Sequence, residues 1–208
     1  SIFFGLAPLF LSFSAKADIK VVTTIKPLHS LVSSVMDGVS EPSLIIEGTN
    51  NPHTFVFKPS HAKLLEEADM VFWIGEDLEA FMEKPLKSLA SNAKKIAFMD
   101  LASIEKLKFR EENIFDDHDD HDGHEDEHEG HDDHAGHEGH NHGEFDAHIW
   151  LDPMNAKEMV HEIAHELSEL DPSNKVTYEA NANKTLKSLD KLIEDVGKDV
   201  AKDISYIV

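Results

Sequence analysis

The chain has 208 residues, with 41 Asp and Glu against 19 Lys and Arg, a formal charge of −22, 15 His and no Cys. So negative a chain offers no clustered Lys/Arg surface for phosphates, which sets nucleic-acid binding aside. Without cysteine there is no disulfide framework, thiolate zinc site, iron–sulfur cluster or cysteine nucleophile, so any metal chemistry must use His, Asp and Glu.

Residues 1–17 read as a cleavable signal peptide. Ile2 to Phe13 is an apolar run broken only by Gly5, Pro8 and Ser12, and Ala15-Lys16-Ala17 follows with small residues at the cleavage positions. The run is shorter than the roughly 20 residues of a membrane-spanning helix. With no Cys to carry a lipid, the expected destination is a Gram-negative periplasm, with the mature chain starting at Asp18.

From there strands alternate with helices. Ile19 to Ile25 reads as a buried strand, and Pro27 to Met36 as a helix closed by Gly38. Leu44 to Ile46 is a short strand leading into the turn-rich Gly48-Thr49-Asn50-Asn51-Pro52. Pro59-Ser60 opens a helix to about Ala68, and Met70 to Ile74 is a further strand. Asp77 to Ala90 is expected to be helical, kinked or ended by Pro85, and Lys95 to Met99 to be a strand. This alternation predicts an α/β fold with a mostly parallel sheet flanked by helices.

Asp116 to His142 breaks the pattern. Its 27 residues hold 12 acids and 9 His but no Lys or Arg, and no aliphatic side chain larger than that of Ala135, so it cannot build a core and is expected to be disordered. Its imidazoles, His118, His121, His124, His128, His131, His134, His137, His140 and His142, interleaved with carboxylates, predict several moderate, interconverting metal sites rather than one cage.

Beyond it, Ala147 to Leu151 is expected to be extended, and Asp152-Pro153 to cap a helix reaching about Leu170. A longer helix is expected over about 173–203, and Ile204 to Val208 reads as the first strand of a further lobe cut away from this chain. The domain plan is therefore a metal-binding lobe over 18–172, a linker helix over 173–203 and a strand over 204–208.

Two isolated histidines fall where open α/β folds bind ligands, beyond the carboxyl ends of the strands: His53, after the second strand, and His148, after the acidic segment. Spacing alone leaves open whether they meet. His161-Glu162-Ile163-Ala164-His165 matches H-E-x-x-H, a zinc peptidase pattern. At about 100° per residue, however, its apolar stripe centres near Leu167 and both imidazoles lie on the opposite, charged face with Glu158. Glu66, Glu67, Glu76 and Asp77 read as helix-start or surface acids, and His29 and His61 as partly exposed structural residues.

Several segments together resemble the zinc-binding periplasmic receptors of zinc ABC importers: Thr24-Ile25-Lys26-Pro27-Leu28-His29-Ser30, Asn51-Pro52-His53-Thr54-Phe55 with Lys58-Pro59-Ser60, Ala68 to Gly75 followed by Leu78-Glu79-Ala80-Phe81, and His148-Ile149-Trp150-Leu151-Asp152-Pro153. The resemblance covers Asp18 to Val208, including a His/Asp-rich insertion ahead of the last element. It implies two α/β lobes joined by a long helix, with Zn2+ held between them by three histidines. His53 and His148 match the first two ligands, the third would lie beyond Val208, and Pro52 stands where some relatives carry a Glu ligand. The implied role is capture of zinc and delivery to a membrane permease, by a monomer that is not an enzyme. A metal buffer working through the acidic segment, or a peptidase using His161, Glu162 and His165, are the alternatives. Nitrogen ligands disfavour calcium and magnesium but leave copper, nickel and manganese open.

Overall fold

The computed structural model describes residues 18–52, 55–109 and 144–205, the last five as backbone only. The expected signal segment, His53, the nine histidines of Asp116 to His142, and Tyr206-Ile207-Val208 lie outside the described residues.

Four parallel strands form the sheet: β1 (Val21–Thr23), β2 (Ser43–Leu44), β3 (Met70–Trp73) and β4 (Lys94–Ala97), in the order β2-β1-β3-β4. Every residue of β1 and β3 is buried, as a parallel strand covered on both faces requires. The β1–β2 ladder runs on past its named residues, with Ile45 and Ile46 donating to the Thr23 and Thr24 carbonyls at 2.9 Å each.

The step from β1 to β2 goes one way across the sheet, and the steps from β2 to β3 and β3 to β4 go the other. Right-handed crossovers then put α1 (Lys26–Met36) on one face and α2 (Pro59–Glu66), α3 (Glu76–Glu79) and α4 (Glu83–Ser88) on the opposite one. The topological switch point lies between the ends of β1 and β3. α1 starts with Pro27 in its first turn and buries Leu28, Val32, Val35 and Met36, one stripe at helical spacing. α5 (Pro153–Leu170) and α6 (Lys175–Ser205) pack with α1 in one helical layer. The α/β expectation therefore holds.

Three local expectations are corrected. Asp77 to Ala90 is not one helix but α3, a 3-10 turn (Ala80–Met82) and α4. Pro85 falls in the first turn of α4, where its missing N–H costs no bond, and the break comes before it. Ala147 to Leu151 is not extended: Ile149–Leu151 is a 3-10 turn, because Asp146 Oδ1 accepts from the His148 N–H at 2.9 Å and bends the chain. The strand expected from 204 does not start there either, since α6 continues through Ile204 and Ser205.

α5 is placed by polar anchors at both ends. The Asp152 side chain accepts from the Met154 N–H at 2.8 Å, capping the helix ahead of Pro153. Buried Asn155 clasps the backbone of Glu105, accepting from its N–H and donating to its carbonyl, each at 2.8 Å. At the far end the Tyr178 hydroxyl donates to Asp171 at 3.1 Å, and Asn181 of α6 donates to the Val35 and Asp37 carbonyls of the α1 end at 3.0 and 2.8 Å. Asn155→Ala would leave two backbone groups of Glu105 without partners, and urea unfolding is expected to show a loss of roughly 2–3 kcal/mol.

Candidate metal centre

The chain leaving β4 turns through Phe98–Asp100 and runs to Lys108, which bridges antiparallel to Phe145. The bridge returns the chain from the far side of the acidic segment to the Glu105 backbone that Asn155 holds. His148 follows three residues later, at the head of the 3-10 turn, and Leu151 N–H donates to its carbonyl at 3.1 Å.

Asp146 holds this histidine twice. Its Oδ1 takes the His148 backbone N–H and also lies 2.6 Å from the ring Nδ1. These contacts, the backbone one first, hold the Asp146 carboxyl below the usual range. A carboxylate on Nδ1 fixes the ring's tautomer, the arrangement found behind metal-ligating imidazoles. The Trp150 ring, 5.2 Å from the imidazole, restricts its swing. The site faces an open groove of about 440 Å³ lined by Leu107, Leu151 and Pro153 among others.

His53 lies outside the described residues, and the segment after it is held by ring packing. Phe55 packs between His61 and Phe81, with ring centroids 5.1 and 5.0 Å away, and Phe57 meets the other side of His61 at 5.5 Å. His61 Nδ1 accepts the Lys58 N–H at 3.0 Å, closing the start of α2. Burial and then the Lys58 charge lower its pKa, favouring the neutral ring that this bond requires. His61 is thus a structural histidine that fixes the chain from Phe55 to the start of α2.

At the switch point sits a carboxylate that sequence reasoning passed over. Glu79 is fully buried, and its Oε2 accepts from the Ile74 and Gly75 N–H groups at 2.8 and 3.2 Å. Gly75 has φ +149, and a Cβ there would stand 3.0 Å from Met99 Cβ, so only glycine lets the chain pass Met99 while turning its N–H to Glu79. Oε1 meets no donor in good hydrogen-bond geometry among the described residues. Burial pushes the Glu79 pKa up to about 7, partly offset by the neighbouring Thr24 hydroxyl and the two N–H groups.

The H-E-x-x-H pair does not form a closed site. His161 and His165 are both exposed on α5, and among the described residues no three His, Asp or Glu side chains are placed to hold a metal together. His29 instead places its Nε2 3.0 Å from the Pro42 carbonyl, tying α1 to the start of β2.

The profile of the family described as zinc-uptake complex component A periplasmic, ZnuA, matches residues 21–206. The chain belongs to this family. It is 46% identical over 202 residues to the high-affinity zinc uptake system protein ZnuA of Brucella abortus (strain 2308), which covers 90% of this chain and 60% of the relative. The chain thus spans about 60% of that relative's length. The crystal structure of a zinc-bound ZnuA mutant lacking residues 138–173 is similar at a TM-score of 0.65 and 27% identity, covering 87% of this chain and 58% of that one. A Mn-bound periplasmic metal-binding protein from candidatus liberibacter asiaticus shares the fold at a TM-score of 0.66 and 21% identity, over 88% of this chain and 57% of its own.

Two outcomes follow from the geometry. Asp146→Asn keeps an acceptor for the backbone N–H but removes the charge behind the ring. Zinc affinity at the His148 site, measured by chelator competition, is expected to fall by about 10–100-fold. For Glu79, the folded chain holds a proton that the unfolded chain has released, so its contribution to stability is lost as pH rises from 4.5 to about 7. Glu79→Gln is expected to remove that part of the slope, seen in urea unfolding at about pH 5 and about pH 8, and to be at least as stable as the parent at the higher pH.

Proposed function

We propose that this chain is the zinc-binding lobe and linker helix of a periplasmic receptor that captures Zn2+ and passes it to the membrane permease of an ABC importer. The observation that carries the proposal is the imidazole of His148, set by Asp146 as a nitrogen ligand, in a chain of the zinc-uptake family. His53 is its partner ligand. Zinc fits two neutral imidazoles well, and a tetrahedral shell needs further donors, which a second lobe would bring. Zinc is cargo here: no bond is made or broken in it, and the receptor works by binding and release rather than as an enzyme. The alternative peptidase is disfavoured, because the two imidazoles of its motif stand exposed on α5 with no third ligand converging on them among the described residues.

Residues 1–17 act as the export signal, residues 18–172 as the lobe and the helix from 173 as the linker, and the receptor works as a monomer. Asp116 to His142 adds weaker equivalents that concentrate zinc near the lobe, and its carboxylates favour protonated imidazoles, so protons compete with zinc there.

Isothermal titration tests the proposal. His53→Ala and His148→Ala are each expected to abolish the same equivalent, and deletion of 116–142 to remove only weaker, pH-sensitive ones. Tight one-to-one binding by the loop-deleted chain that survives both substitutions would place the site elsewhere.

A further inference from the structure

The H-E-x-x-H segment is absorbed neither by the His148 site nor by the fold. α5 is an uninterrupted helix of 18 residues, and its core stripe of Met159, Val160, Ile163 and Leu167 leaves His161 and His165 exposed, one turn apart. Side chains four apart on a helix have Cβ atoms about 5–6 Å from each other, close enough for two imidazole nitrogens to close on one cation. Both rings line a groove of about 250 Å³ between α5 and α6, where Glu169 adds a carboxylate one turn beyond His165 and Glu179 adds another from α6. Glu179 is shared with Lys175 at 3.7 Å, whereas neither imidazole is engaged in a hydrogen bond or ion pair among the described residues. Ligation therefore breaks no existing bond, and the helix has already fixed the spacing, so little ordering cost remains.

We propose that His161 and His165 form a second cation site on the outer face of the lobe, for Zn2+ or another borderline divalent ion that takes imidazole nitrogen. Two imidazoles hold the ion and water completes its shell, since no third ligating side chain converges there among the described residues. The site is open, exchangeable and weaker than a closed one, and Glu162, next to the pair, has no enclosed water to activate. It is separate from the His148 site, lying at the α5–α6 groove rather than at the 3-10 turn ahead of α5.

The full chain, labelled with 15N at histidine, is titrated with Zn2+ alone while the ring resonances of His161, His165 and His148 are followed by NMR. His161 and His165 are expected to shift together with one dissociation constant. His161→Gln should weaken the response of His165 by about a hundredfold, and His165→Gln that of His161, as expected when two tethered groups share an ion. Both variants should leave the His148 response unchanged, with circular dichroism reporting the intact helix. Rings that do not respond at millimolar zinc, or that respond equally well in each other's absence, would overturn the proposal.

Discussion

The parallel pairing of β1 with β3 is the constraint from which the lobe is built. Val21, Val22 and Thr23 lie against Met70, Val71 and Phe72, buried on both faces, and the outer strands β2 and β4 each attach to one member of this pair. A strand buried on both faces must be covered by helices on both sides, which the opposite crossovers provide. The same divergence opens the edge between Thr24 and Gly75, and a side chain fills it. Glu79 bends back from α3 to receive two backbone N–H groups that no strand can pair, so the turn after β3 is held by a buried carboxylate rather than by a longer ladder. Desolvation keeps that group near neutrality and spares the interior a full charge.

The rigidity of this frame reaches His148 through polar clasps. Asn155 fixes the Glu105 backbone, the Lys108–Phe145 bridge carries that position across the acidic segment, and Asp146 sets His148. Each link is short in space although 50 residues separate Glu105 from Asn155, and closing a long connection between them costs little more entropy than closing a short one. The chain from Phe55 to the start of α2 is set independently, by the packing of Phe55 and Phe57 on His61.

Charge supplies the long-range part. A chain of formal charge −22 attracts divalent cations from beyond contact distance, and field strength rather than geometry governs that stage. Discrimination begins only where imidazole replaces carboxylate as the ligand, since oxygen donors accept calcium and magnesium whereas nitrogen selects the borderline metals. A buried carboxylate used structurally, as at Glu79, and an exposed one used to orient a ring, as at Asp146, are two uses of the same functional group, separated by solvent exposure.

The sequence by itself determined the α/β class and nearly every element, because β-branched runs such as Val21 to Thr23 and helical stripes such as Leu28, Val32 and Val35 must be buried whatever surrounds them. It also showed that His161 and His165 face away from the core, which needs only the period of a helix. The tertiary structure decided what depends on partners distant in the chain or on competition between local preferences. Asp146 was legible in principle, as an Asp two residues before a His, yet the same pattern is common in turns that hold no metal, and only the folded 3-10 turn shows the carboxylate on Nδ1. Glu79 stands in the sequence as one acid among several near a helix start and has no role assigned there; its burial follows from Thr24, Ile74 and Gly75, which are distant from it or turned toward it only in the fold. The isoleucine-rich end at Ile204 read as a strand from its own side chains, but a helix already propagated through about eight turns adds a residue at little cost, so α6 runs on through Ile204 and Ser205.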